Sequence, residues 1–310
     1  GYADTGVFRR DLLAVLEDVR RHYGALFETA PDLGAGPAGS LVFTGTEDDP
    51  ETLATLGRLG FSDTAWVAAT VRGWHHGRYR AMRSVRAREL LTALMPKLLH
   101  ALGAAASPDD AFRRFDSFLG RLPAGVQLFS LFHANPNLLD LLAEIMGTAP
   151  SLAELLAQYP ALLDAVLADD FGTALPDADR LAAELEEQAA EARGFEDKLD
   201  ITRRWTGQRR FQVGAQLLTR KVTAETAARS FSAIADAVLA AMQGFVTAEF
   251  TRQHGSIAGG AMIVIGMGKL GAHELNFTSD LDLIFVYDHD PLAGDSDGPR
   301  PLPPSHYFAR

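Results

Sequence analysis

The chain has 310 residues, 47% of them apolar and 22% charged, which suits one large or two to three smaller globular domains and excludes a largely disordered protein. A formal charge of −11 argues against a general nucleic-acid partner, because binding phosphates by counterion release needs a positive surface. With no cysteine there are no disulfides or thiolate metal sites, and no uncharged apolar stretch approaches the roughly 18 to 20 residues that span a bilayer, so no membrane partner is expected.

Most of the chain reads as helix. Leu12, Leu16, Val19, Tyr23 and Leu26 recur at three- and four-residue steps and predict one amphipathic helix. "APDLGAGPAG" breaks it, "SLVFTG" reads as a short strand, and helices resume near Glu51 and Asp63. The stretch from Arg72 to Arg88 holds six arginines and no acid. In an acidic chain it reads as a solvated or acid-paired helix face, with Trp74 and Tyr79 packing at a helix edge. His75 and His76 are adjacent, point about 100° apart on a helix, and cannot chelate one ion from one face.

"GAAASPDD" marks a boundary, where Ser107 suits a helix cap and Pro108 the first turn. Short helices punctuated by Pro136, Pro150 and Pro160 follow, at unequal intervals that argue for a compact helical module over a solenoid. Charge then polarises, with nine acids and three bases from Gly172 to Asp200, and six bases and no acid from Ile201 to Lys221. Two helices of opposite sign, paired with each other, are expected there. Thr223 caps the clearest helix, whose buried stripe runs through Ala227, Phe231, Ile234, Val238, Met242 and Phe245 and ends near His254 and Gly255.

The period changes at "AMIVIG" and "LDLIFVYD", which read as buried strands. Between them, Gly266, Gly268 and Gly271 spell the dinucleotide pattern G-x-G-x-x-G, and Asp288 lies near the place of its ribose-binding acid. Only eight residues separate Gly271 from Asp280, however, and a parallel crossover needs a dozen or more. A Walker A loop fails too, since Leu270 follows Lys269 where Ser or Thr is required. What fits is a strand, a tight glycine loop whose N–H groups face phosphates, a short helical turn, and a strand opening with Asp280 and Asp282. Residues two apart on a strand point the same way, so both carboxylates would share a side while Leu281 and Leu283 anchor the other. Two hard-oxygen ligands suit Mg²⁺ bridging to substrate phosphates; the plainer alternative has Asp280 ending a strand and Asp282 simply exposed.

At these residues a resemblance emerges. "GMGKLG", "ELNFTSDLDLIF" and "SDGPRPLPPSHYFAR", together with the helical segments "LFSLFHANPNLLDLLAEIMGTAP" and "KLDITRRWTGQRRFQVG", resemble the bifunctional glutamine synthetase adenylyltransferase/adenylyl-removing enzymes, with catalytic domains of the polymerase-beta-like nucleotidyltransferase superfamily. The resemblance implies a mainly α chain of helical bundles followed by the first strands of an α+β nucleotidyltransferase domain. Residues 1–105 would be the helical tail of the adenylyl-removing half, 106–255 a central bundle, and 256–310 the start of the adenylyltransferase domain. It implies ATP and Mg²⁺ as cofactors and glutamine synthetase and the PII signalling protein as partners; a cytoplasmic location is expected from the lack of cysteine, of a membrane-spanning stretch and of a signal-peptide pattern.

Carried over by position, Asp280 and Asp282 would be the catalytic Mg²⁺ ligands, and Gly266, Gly268 and Gly271 would shape the nucleotide-phosphate loop. Lys269 would add charge to the phosphates or pair with Glu274. Ser279 would donate to a phosphate oxygen or end the turn. The superfamily's third carboxylate belongs on a later strand; Asp288, Asp290, Asp295 and Asp297 read as loop acids. The chain, which begins at Gly1 and stops at Arg310, is therefore expected to be a piece of a longer protein and to transfer AMP feebly or not at all by itself. Two other readings are a helical regulatory module binding PII protein and a related uridylyltransferase.

Overall fold

The computed structural model describes residues 41–43, 47–166, 171, 173 and 175–309, with Arg9 and Val15 besides. The helix expected over Leu12 to Leu26 lies outside the described residues. The chain divides into two compact units, Gly1–Ala153 and Glu154–Arg310.

The first unit is helical. Asp49 and Asp63 cap α1 (Pro50–Arg58) and α2 (Thr64–His75), accepting from the N–H groups of Thr52 and Trp66. Among the described residues no strand precedes them: Leu41–Phe43 is irregular, and the Val42 N–H donates to Thr52 Oγ1 at 2.8 Å. Val42 is tied to a helix start, with no strand beside it among the described residues to pair. Next come α3 (Val85–Gly103), α4 (Pro108–Arg121), α5 (Val126–Ala134) and α6 (Pro136–Thr148). Ser107 does stand at the cap of α4, but only its carbonyl is used, accepting from Ala111 N–H; Asp109 turns instead to the N–H groups of Ser62 and Asp63.

Trp74 is fully buried, a correction to its expected place at a helix edge. It stacks on Phe112 at 5.2 Å and meets Phe115 edge-on at 5.7 Å. Its indole N–H donates to Asp116 Oδ1 at 2.7 Å, and the Tyr79 hydroxyl donates to the same carboxylate at 2.9 Å. A large aromatic goes inside when its one polar atom finds a partner, and Asp116, 42 residues away, supplies it. Asp116→Ala should therefore leave the Trp74 N–H stranded in the core and destabilise this unit by about 2–3 kcal/mol, read as a fall in its urea midpoint. The arginines nearby are dispersed: Arg72 pairs with Asp48, Arg86 with Glu89, Arg88 donates to the carbonyls of Met82 and Arg83, and Arg78 lies over the Tyr79 ring. Burial pushes the His75 imidazole below its ordinary value.

In the second unit, α7 (Pro150–Gln158), which runs across the division, and the short α8 (Leu162–Ala165) precede three long helices. These are α9 (Ala178–Ala189), α10 (Phe195–Leu218) and α11 (Ala224–His254). The expected pair of oppositely charged helices is corrected in detail, because the charge switch falls inside α10: Glu196, Asp197 and Asp200 share that helix with Arg203, Arg209 and Arg210. Acids in a first turn favour the helix N-terminus, so one helix accommodates both signs. The cross-helix pairing is present at Glu184 of α9, which accepts from Arg209 and from Trp205 Nε1.

Thr223 caps α11 through Thr226 N–H, and Gly255, at φ +74°, ends it. Its stripe is buried at Ala227, Phe231 and Ile234 but only half-buried at Val238, Met242 and Phe245. By length and composition α11 is long and apolar enough to cross a membrane, contrary to the expectation that no stretch approaches this; Asp236 interrupts it, and its buried face packs on α9 and α10.

β1 (Ala261–Gly266) and β2 (Leu283–Asp288) pair antiparallel, from Ala261 opposite Asp288 to Gly266 opposite Leu283. The antiparallel pairing agrees with a link too short for a parallel crossover. The strands are not buried as expected. In β1 only alternate residues are half-covered and in β2 only Leu283, and Ile263, Ile284 and Phe285 are 57%, 48% and 58% exposed. A two-stranded ribbon that sets Leu283 against the helical core leaves most of its faces open.

Candidate functional site

The glycine loop is built by close approach. β1 ends at Gly266, one helical turn α12 (Gly268–Gly271) follows, and Leu270 drops into the core with α9–α11, 3% exposed. A Cβ at Gly271 would lie 2.6 Å from the Gly266 carbonyl oxygen, and one at Gly266 would lie 2.9 Å from Leu270 side-chain carbons. Gly268 carries the left-handed φ of +52°, and a Cβ there would lie 2.4 Å from Asp282 Oδ2. The absent side chain of Gly268 therefore makes the space that the Asp282 carboxylate fills. The Met267 N–H donates to the Asp282 carbonyl at 2.8 Å, fastening both strands beyond the ribbon. The N–H groups of Gly268 and Lys269 have no partner among the described residues.

From the loop the chain returns through Leu275, which is 4% exposed. Asn276 then makes a turn: its Oδ1 accepts from the Thr278 N–H at 2.9 Å, and its N–H donates to Ser279 Oγ at 3.0 Å. β2 begins at Leu283 and not at Asp280, so the aspartates lie on the lead-in to the strand, both exposed. That corrects the expectation that they open the strand: Gly266, the last residue of β1, pairs with Leu283, and the ladder ends there. Leu283 packs against the helical core, as an anchor should; Leu281 is 41% exposed and does not.

One family model matches residues 139–310, that of glutamate-ammonia ligase adenylyltransferase. The chain belongs to the glutamate-ammonia ligase adenylyltransferase family. The whole chain is 48% identical to a bifunctional glutamine synthetase adenylyltransferase/adenylyl-removing enzyme of Mesorhizobium japonicum, 46% to that of Agrobacterium fabrum and 46% to that of Bartonella quintana. It spans 31%, 31% and 32% of those proteins' lengths, so what is matched is about a third of each relative.

In this adenylyltransferase-family chain the glycine loop and Asp282 are in contact, while Asp280 stands two residues upstream with its carboxylate in solvent. Lys269 is exposed and forms no ion pair with Glu274; the link between them is the Glu274 N–H to the Lys269 carbonyl at 2.8 Å. Ser279 closes the Asn276 turn. Among the described residues no group of three or more His, Asp or Glu is gathered for a metal. Of the remaining acids Asp288, expected in a loop, instead ends β2 opposite Ala261 and accepts from the His289 N–H; Asp290 and Asp297 do act in loops, accepting from the Leu292 and Ser256 N–H groups. The "SDGPRP" segment folds back on the end of α11, with Gly298 and Arg300 N–H groups donating to the carbonyls of His254 and Gln253. A shallow depression of about 590 Å³, lined by Arg193, Phe195, Glu196, Asp197, Glu249 and Gln253, shares no residue with the loop.

Sequence reading did not single out Asp236, which on α11 has its carboxyl pushed above the ordinary value of 3.8 by burial, an effect opposed by His273. The signal for it is an acid within an apolar helical stripe. A raised folded-state value means the ionised form costs stability, so Asp236→Asn should raise the melting temperature at neutral pH. The gain should vanish as pH falls below the ordinary carboxylate value, where folded and unfolded chains both carry the proton. Thermal melts of both proteins across pH 3 to 8 check this, ~3 being the acid limit at which the curves meet.

Proposed function

We propose that this chain forms part of an enzyme of its relatives' full length that transfers AMP from ATP to a tyrosine of glutamine synthetase, with Mg²⁺ at Asp280 and Asp282. The observation that carries the reading is Gly268, whose bare Cα lets the Asp282 carboxylate lie against a phosphate-type loop. The donor set fits the metal: two exposed carboxylates in no ion pair among the described residues, both hard oxygen ligands, beside backbone N–H groups turned to no other partner. When bound, Mg²⁺ would neutralise phosphate charge and stabilise the departing pyrophosphate.

The chain's own groups have distinct parts in this reading. Gly268 and Lys269 N–H groups donate to phosphate oxygens, and the exposed Lys269 ammonium adds positive charge. The Asp282 backbone is held through the Met267 N–H, and its exposed carboxylate lies beside the bare Cα of Gly268. In the transfer a tyrosyl oxygen bonds to the α-phosphorus as the bond to pyrophosphate breaks, and the tyrosyl proton leaves to solvent or base. The adenylyl-removing activity in the relatives' names is assigned, on the resemblance, to the other half of such a protein, and regulation by PII protein rests on the same ground.

The test is label transfer in the full-length protein. With α-labelled ATP, Mg²⁺ and glutamine synthetase, label should appear on glutamine synthetase together with pyrophosphate, and chelation of the metal should stop it. Label accepted from UTP in place of ATP, with PII protein as acceptor, would make the chain a uridylyltransferase instead.

A further inference from the structure

Resting on that reading, we propose that Arg210 of α10 is a positioning residue for the Asp280/Asp282 pair, acting through the Phe277 carbonyl and ring. Arg210 Nη2 donates to the Phe277 carbonyl oxygen, and its guanidinium lies over the Phe277 ring, 4.8 Å from the centroid. It reaches 67 residues along the sequence to do so. Phe277 also meets Phe231 of α11 edge-on at 6.0 Å, and the Leu275 N–H points at Ser232 Oγ, 3.5 Å away, from the same helix. The segment entering the aspartates is thus held from two helices at carbonyl, ring and amide.

Each hold has a physical reason. The Phe277 carbonyl sits in the Asn276–Ser279 turn, whose side chains satisfy each other and leave that oxygen to accept from elsewhere. Arg210 faces desolvation, which depresses its pKa, yet it has no carboxylate partner among the described residues; its half-buried charge is matched by a carbonyl dipole and an aromatic face. A charge held at this cost on a loop, rather than on an acid, points to geometry as its purpose. Two residues separate Phe277 from Asp280 and four from Asp282, so a shift of the turn moves both carboxylates while Gly268 stays in place. A planar guanidinium can donate and stack at once, which an ammonium cannot do as well.

The experiment measures Mn²⁺ affinity by electron paramagnetic resonance with ATP present, and amide exchange over residues 275–282, in the full-length protein. Arg210→Ala should weaken Mn²⁺ binding and AMP transfer about 10- to 100-fold, the usual loss when a supporting group behind a metal ligand is removed, and should speed exchange of these amides. Arg210→Lys, which keeps the charge and is the safer variant for folding, should recover the fold but only part of the affinity. Wild-type Mn²⁺ affinity and exchange in either folded variant overturns the proposal, as does a fall in activity that only follows the folded fraction. Asp282→Asn is run alongside: if it retains wild-type affinity, the metal reading fails and this proposal with it; if it loses affinity while the Arg210 variants do not, only the role of Arg210 is wrong.

Discussion

Asp282→Asn in the full-length protein is expected to abolish measurable AMP transfer while leaving the melting temperature within a degree or two of the parent. Asparagine keeps the size and one oxygen, so the backbone bond from Met267 N–H to the residue 282 carbonyl persists and the ribbon register is retained. What is lost is a negative charge and a hard ligand at the point where Gly268 admits it. A metal's contribution to such a transition state is several kcal/mol, and a loss of about 4 kcal/mol corresponds to roughly a 10³-fold drop in turnover. Since the carboxylate is exposed and makes no ion pair among the described residues, its removal takes no structural partner with it. Steady-state transfer rates alongside thermal melts check both halves, and transfer within threefold of the parent would show that Asp282 is no ligand.

Gly268→Ala should damage the same site from the other side. The left-handed φ of +52° costs an L-residue about 1–2 kcal/mol, and the new methyl carbon would lie 2.4 Å from Asp282 Oδ2. The carboxylate must then swing away from the loop. A displacement of this order commonly costs about 100-fold in rate, so transfer should fall by that factor and the Mg²⁺ requirement should rise. Gly268→Asn separates the two causes, because asparagine tolerates the left-handed region yet carries the same Cβ. It should recover most of the stability and little of the transfer. Full activity in the asparagine variant would mean the Gly268–Asp282 approach has no catalytic role.

How much of this was legible in sequence follows from range. Helix starts near Glu51 and Asp63 and at Thr223 could be read because a cap and its N–H partner are three residues apart, although the first cap proves to be Asp49. The exclusion of a parallel crossover followed from the short link between Gly271 and Asp280, and the antiparallel pairing agrees with it. Three glycines and D-x-D marked the loop, and the structure adds what spacing cannot: that Gly268 and Asp282, fourteen residues apart, are in contact. Trp74 was misplaced because its burial depends on Asp116, and Arg210 was read as one of six bases because Phe277 lies far down the chain. The strands looked buried because continuous apolar runs are the signature of a sheet covered on both faces. In the described ribbon that cover is limited to alternate, half-buried positions of β1 and to Leu283 of β2.

The most direct measurement titrates Mn²⁺ into the full-length protein with saturating ATP, comparing parent with the Asp280→Asn/Asp282→Asn double variant by electron paramagnetic resonance. The account predicts protein-bound Mn²⁺ in the parent, and an affinity at least about 100-fold weaker when both carboxylates are neutral. Equal Mn²⁺ binding by the two proteins would contradict it.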